Sequence, residues 1–241
     1  GPVTLNQALS NSINTVAVQL ANEIGIEKVR AIAKDFGIRS SIGKGLAVAL
    51  GSSEVNLLEL TSAYAGFLSN GKKVNPIGWF DLKIRGEKAV LMTADRSEGM
   101  QVIDQNASAA LLFMLKSVIE NGTGIRAKIP GWDLGGKTGT SQIMKDAWFI
   151  GFNTEYVCGV WMGYDDNTPL EGVTGGGLPA ELCSNIIKKL INQNTPVVLP
   201  YLTPDEFDQF ATINKNNNKS FKKDQNSRSI IKALINALFG N

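Results

Sequence analysis

The sequence predicts an α+β fold, with helices packed on an antiparallel sheet. Three observations carry that expectation. Apolar residues in the first third recur at helical spacing. The later part switches to short runs of β-favouring residues separated by turn signals. A last apolar-faced helix follows the strands, and the order of helices, strands and helix differs from alternating βαβ units. With 43% apolar and 19% charged residues in 241, the chain has the material for a sizeable core.

Thr4-Leu5-Asn6-Gln7 reads as a capping box that opens a short helix. Ile13, Val16, Ala17, Leu20, Ala21 and Ile24 then form one helical face, which Gly25 ends. Val29, Ile32, Ala33 and Phe36 mark a third helix, closed by Gly37. Asn56 and Glu59 begin another, whose face runs through Leu57, Leu58, Thr61, Tyr64, Ala65 and Leu68 to Asn70-Gly71. Over 79–91 the period falls to two: Phe80, Leu82 and Ile84 alternate with polar residues, and Arg85-Gly86 supplies a hairpin turn.

A helix is predicted over about 106–120, ended by Asn121-Gly122. Strands are predicted at 147–152 and 156–164, joined by Asn153-Thr154. Gly175-Gly176-Gly177 reads as a loop. From Pro179 a closing helix follows, with Leu182, Ile186, Ile187 and Leu190 expected to face inward. Residues 1–199 are thus expected to form the folded unit and 200–241 a polar tail. Within the tail, 214–226 is rich in Asn and Lys, with Phe221 its only apolar residue, the composition of a disordered segment. Residues 229–239 suit a short apolar-faced helix, too short to span a membrane.

Composition removes several function classes. A net charge of +2 gives no broad basic field for nucleic acid. There is no histidine, which excludes Ser-His-Asp and Cys-His catalysis and His-containing zinc sites. A general base must then be Lys, Asp, Glu, Tyr or a terminal amine. Cys158 and Cys183 lack metal-ligand spacing and read as two small buried residues, with pairing left open. Asp165-Asp166 reads as a solvated turn and not as a metal site. Trp132, Trp148 and Trp161 are expected in the core rather than along a groove, and Asp146 is expected to tie strands together. No run has transmembrane length and no signal pattern opens the chain. The start at Gly1-Pro2 reads as a cut from something longer.

Two short motifs carry chemistry. Gly135-Gly136-Lys137-Thr138-Gly139-Thr140 places a cation, hydroxyls and closely approachable backbone beside strand material. Ser12-Ile13-Asn14 lies between the first two helices, where a hydroxyl and an amide can share one cleft. Each has a plain alternative: Ser12 or Asn14 capping the second helix, and a solvated turn for Lys-Thr-Gly.

Taken in order, these and other stretches resemble the transpeptidase domain of class A, bifunctional penicillin-binding proteins. The order is Ser12-Ile13-Asn14-Thr15-Val16-Ala17, Ala49-Leu50-Gly51-Ser52-Ser53-Glu54, Asn121-Gly122-Thr123-Gly124 and Lys137-Thr138-Gly139-Thr140-Ser141. Then come Asp146-Ala147-Trp148-Phe149-Ile150-Gly151, Gly159-Val160-Trp161-Met162-Gly163-Tyr164-Asp165-Asp166 and Thr174-Gly175-Gly176. The match covers roughly 1–192.

The resemblance implies the penicillin-recognising serine transferase fold, related to β-lactamases and N-terminally truncated. It implies acyl transfer between peptidoglycan stem peptides through a covalent acyl-serine, with no metal or organic cofactor. Ser12 would shuttle a proton to the leaving amine and Asn14 would hold substrate backbone. Lys137 would tune Ser12. Thr138, Gly139 and Thr140 would bind a D-alanyl or β-lactam carboxylate, with the Thr140 N–H in the oxyanion hole. The implied partners are stem peptides, β-lactams and the upstream half of the same protein. The implied location is the periplasmic or extracellular face of the bacterial inner membrane.

One departure stands out. The family's nucleophile sits in a Ser-x-x-Lys motif before Ser-x-Asn, and the eleven residues before Ser12 hold none. Matches at Ser41/Lys44, Ser69/Lys72, Ser220/Lys223 and Ser229/Lys232 come later and in the wrong context. The isolated chain is therefore expected to be inactive, as a fragment whose nucleophile lies upstream or as a non-catalytic stem-peptide-binding remnant. A serine β-lactamase or D,D-carboxypeptidase is the neighbouring enzymatic alternative.

Overall fold

The structure is a computed structural model that describes residues 3–191, 195–203, 205–206 and 209. Helix α1 (Leu5–Ser10) opens on the expected capping box: Thr4 and Gln7 exchange backbone-to-side-chain hydrogen bonds of 3.1 Å each way. Helices α2 (Asn14–Ile24) and α3 (Ile26–Asp35) meet at Gly25, whose φ of 92° lets the chain turn sharply between them. Helix α4 (Leu57–Leu68) is capped by Asn56, which accepts from the Leu58 N–H at 2.8 Å. Glu59 does not complete a capping box there. Its carboxylate accepts instead from Ser40 N–H and Oγ, which lowers its pKa and ties the α3–α4 connection to α4.

The hairpin forms as β1 (Asp81–Lys83) and β2 (Val90–Thr93), and both strands are exposed throughout. Helix α5 (Gln105–Asn121) starts one residue earlier than the periodicity indicates. Asp104 is its cap, accepting from Asn106 and Ala107 N–H groups. Strands β3 (Gly135–Thr140), β4 (Asp146–Phe152) and β5 (Val157–Gly163) form an antiparallel sheet in that order, and helix α6 (Leu178–Leu190) closes the unit.

Strand periodicity divides the core in two. On one face Phe149 and Val160 meet Cys183 and Ile187 of α6, together with Ile119. On the other, Phe152 and Val157 meet Leu112 and Leu115 of α5 and Tyr64 and Phe67 of α4. Helix α1 lies against α5 and is joined to its end by the Thr123 N–H, which donates to Ser10 O at 3.0 Å.

The facing of α6 corrects the expectation. Ile187 is buried, but Leu182, Ile186 and Leu190 lie on the outer face with Leu178, at 38–52% exposure. Apart from Ile187, the buried stripe is made of smaller residues: Pro179, Ala180, Cys183 and Ser184. Glycine 151 explains the choice. A Cβ there would fall 2.6 Å from Cys183 Sγ, so the helix approaches the sheet too closely for leucine at that contact.

Packing continues past position 199. Leu199 is 2% exposed, wedged among Leu112, Leu115 and Phe152. Its N–H donates to Asp133 Oδ2 at 3.0 Å. The other oxygen of Asp133 pairs with Lys116 Nζ at 2.5 Å, and Lys116 also donates to Tyr201 Oη at 3.1 Å. The predicted disordered stretch at 214–226 and the predicted helix at 229–239 lie outside the described residues.

If residues 195–203 are a structural strap, Leu199→Ala leaves a cavity beside Phe152 and costs about 2–5 kcal/mol. Urea unfolding reads that loss. A change below about 0.5 kcal/mol, typical of surface sites, would contradict the docking.

Candidate active site

The turn that carries Ser12 follows from how α1 ends. The Ser12 N–H donates to Leu9 O at 3.2 Å and the Ile13 N–H to Ala8 O at 2.8 Å. This is the bonding pattern of a Schellman motif, whose crossing residue adopts the left-handed conformation. Glycine usually fills that position. Here it is Ser12, at φ 53°, which costs about 1–2 kcal/mol for a side chain with a Cβ. Neither Ser12 nor Asn14 caps α2, because the N-cap is Ile13 and no side chain bonds there. Asn14 is exposed as the first residue of α2, and its side chain makes no hydrogen bond among the described residues.

Lys137 reaches Ser12 from β3. Its Nζ donates to Ser12 Oγ at 2.8 Å and to Thr138 O at 3.0 Å. Lys137 pairs with Ile150 across the strands, so it points to the α4/α5 face of the sheet. Among the described residues no carboxylate forms an ion pair with it; Asp146 accepts from Trp161 Nε1 at 3.0 Å. Burial without a counter-charge pushes the lysine pKa down to about 8. Near neutral pH the amine can therefore both donate and take up a proton.

Thr138 and Thr140 project from the opposite face of β3. Thr138 Oγ1 lies 2.8 Å from Thr123 Oγ1, and Thr140 Oγ1 accepts from the Gly175 N–H at 3.1 Å. Thr123 and Gly175 thus join the site, and their sequence motifs showed no such contacts. Close backbone approach builds the surroundings. A Cβ on Gly122 would fall 2.3 Å from Ser10 O, and one on Gly175 would fall 2.4 Å from Gly139 O. Bare backbone at these two positions lets α1 and the glycine-rich loop converge on β3.

The tryptophans divide on the expectation of core packing. Trp132 packs half-buried against the main core, whereas Trp161 is exposed. Trp148 and Trp161 pair at 6.3 Å between ring centroids, on the same sheet face as Lys137 and Gly139. Asp146 ties β4 to β5 through the Trp161 bond, as expected. Among the described residues no cluster of acidic or cysteine side chains could hold a metal. Of the Ser-x-x-Lys matches, Ser41 and Lys44 are exposed, while Ser69 ends α4 and Lys72 pairs with Glu98. Neither pair hydrogen-bonds Ser12 or Lys137.

The lowered lysine pKa has a signed consequence. The native state binds its proton less tightly than the unfolded chain, so this lysine alone makes stability rise between about pH 8 and the ordinary 10.5. Below that window the penalty is about 3 kcal/mol. Lys137→Met should raise stability near neutral pH by about 1–2 kcal/mol, after loss of its hydrogen bonds, and should remove the rise. Urea unfolding of both proteins across that range checks this; parallel pH profiles would mean the lysine is not buried. Gly122→Ala should push α1 from α5 and lower stability by about 1–3 kcal/mol, read by thermal unfolding.

Comparison with known proteins places the sequence and the fold in a family. The family model for the penicillin-binding protein transpeptidase domain matches residues 1–188. Penicillin-binding protein 1A of Aquifex aeolicus is 38% identical over 165 residues, covering 68% of this chain and 22% of that protein. Its counterpart in Rickettsia bellii is 31% identical over 227 residues, covering 85% and 28%. The chain thus spans about a quarter of the length of these relatives. Among solved structures, penicillin-binding protein 1A from Haemophilus influenzae shares the fold with a TM-score of 0.75 at 24% identity, over 85% of this chain and 36% of that one. PonA1 from Mycobacterium tuberculosis, solved with penicillin V, gives 0.72 at 22%, over 83% and 59%. The serine–lysine contact thus sits in a sequence and fold shared with the class A proteins, and the chain belongs to the transpeptidase-domain family of penicillin-binding proteins.

Proposed function

We propose that this chain is the C-terminal part of a peptidoglycan D,D-transpeptidase that cross-links stem peptides and binds β-lactams. The observation that carries the reading is the 2.8 Å bond from Lys137 Nζ to Ser12 Oγ, between residues 125 apart in sequence. In this reading a nucleophilic serine attacks the D-alanyl carbonyl, and the proton it releases passes through Ser12 to the departing amine. Lys137 holds Ser12 in place and biases its proton. The exposed Asn14 amide holds substrate backbone. Thr138 and Thr140 receive the terminal carboxylate at β3, where Gly139 lets the peptide come close. The Thr140 N–H then stabilises the oxyanion. Serine acyl transfer of this kind needs no metal.

The nucleophile belongs, in this proposal, to a Ser-x-x-Lys segment of the same protein outside these 241 residues. Two features support a further docked segment. The outer edge of β5 is unpaired among the described strands, and Leu178, Leu182, Ile186 and Leu190 leave an apolar stripe on α6. Residues 1–199 would carry the acyl-transfer module and 200–241 the tail. Stem peptides place the work at the outer face of the bacterial inner membrane. Among the described residues no helix is long and apolar enough to cross a membrane, so anchoring would fall to other parts of the protein.

Fluorescent penicillin followed by a denaturing gel tests this. The chain alone should remain unlabelled, and adding the upstream segment should produce labelling that Lys137→Ala abolishes. Labelling of the chain alone would overturn the assignment of the nucleophile. No labelling with the segment bound would leave a non-catalytic stem-peptide-binding module.

A further inference from the structure

We propose that Cys158 and Cys183 are a redox pair that closes into a disulfide stapling α6 to β5. The two residues lie 25 positions apart, one on the sheet and one on the helix that covers it. Their juxtaposition is built by a glycine. Cys158 is the cross-strand partner of Gly151, so its Cβ points to the same sheet face, about 5 Å from where a Gly151 Cβ would stand. Cys183 Sγ lies 2.6 Å from that absent Cβ. The Cys183 thiol also approaches Cys158 O at 3.7 Å. Both sulfurs are thiols in this structure, and the two side chains are in hydrogen-bond contact beneath α6.

The two thiols are chemically unequal. Cys158 is half-buried and Cys183 is fully buried. A hydrogen bond from Cys183 lowers the Cys158 pKa, while the same contact and burial raise that of Cys183. Cys158 is therefore the sulfur that an external oxidant meets first, as its thiolate. With a small disulfide such as oxidised glutathione, the Cys158 thiolate attacks one sulfur, forms a mixed disulfide and releases one glutathione thiolate. Cys183 then gives up its proton, attacks Cys158 Sγ and expels the second. Two protein thiols are oxidised and one glutathione disulfide is reduced to two thiols. Closing this loop restricts the unfolded chain and fastens α6, whose inner stripe is made of small side chains, onto the sheet.

The test uses the full chain, equilibrated with oxidised and reduced glutathione, then unfolded, alkylated and weighed. Its thiol readout is independent of penicillin labelling. The expected product has lost two hydrogens, carries no alkyl group, and melts several degrees higher until dithiothreitol is added. Full alkylation of both cysteines, or a lasting glutathione adduct on the unaltered chain, would overturn the proposal. Cys183→Ser should trap glutathione on Cys158. Should that core variant fail to fold, Cys158→Ser at the half-exposed position should have the same melting temperature in oxidising and reducing buffer; a difference there would also overturn it.

Discussion

A lysine amine drawn out of water, with no carboxylate partner among the described residues, is the constraint on which this structure turns. Lys137 is held by a hydroxyl and a carbonyl oxygen, and burial drives its pKa to about 8. A carboxylate in the same place would have kept the charge fixed and the amine inert as a base. A hydroxyl leaves the proton labile. The arrangement lowers stability, and the apolar packing on both faces of the sheet offsets it. Phe149 and Phe152 are fully buried on opposite faces of β4, and each anchors a separate cluster. Backbone strain falls at the same point as well. Ser12 takes the left-handed position that glycine normally fills, and that choice turns its hydroxyl toward the lysine.

Contacts between distant segments hold that geometry. The loop after α5 bonds α1 through Thr123 N–H and β3 through Thr123 Oγ1. One residue therefore sets the distance between the turn bearing Ser12 and the strand bearing Lys137. The missing Cβ at Gly122 permits the approach of α1 to α5 that this requires. Lys116, Asp133 and Tyr201 tie the strap around 199 to the C-terminal half of α5. Both sets of contacts hold the end of the helix on which the site rests.

Elements whose signals are local were legible in the sequence. The Thr4–Gln7 capping box, the Asn56 cap and the stop at Gly25 each depend on a few adjacent residues and appear as read. The strands and their antiparallel arrangement follow from period and turns. Errors fell where neighbours in space decide. Bulky residues on α6 were expected inside, but Gly151 brings the sheet so close that small ones must face it. Trp161 looked like core, yet lies on a strand beside an open sheet edge. The Thr123–Thr138 contact joins residues 15 apart through the sheet, and no local pattern encodes it. The meeting of Ser12 with Lys137 followed only from motif order, since periodicity does not relate residues 125 apart.

The two faces of β3 add a constraint on any ligand in the proposed reading. A strand with a period of two sends Lys137 to one face and the Thr138 and Thr140 hydroxyls to the other. No ligand resting on a single face could meet all three. The line between the faces is the edge of β3 that no other described strand pairs, because its other edge is paired with β4. An extended peptide laid along that edge would have the cation on one side and the hydroxyls on the other, with its backbone against the strand. Gly139 removes the side chain that would stand between Lys137 and Trp148 on the lysine face, so a bulky residue there would crowd the ligand's path. This geometry favours a strand-like peptide over a compact ligand buried in a pocket.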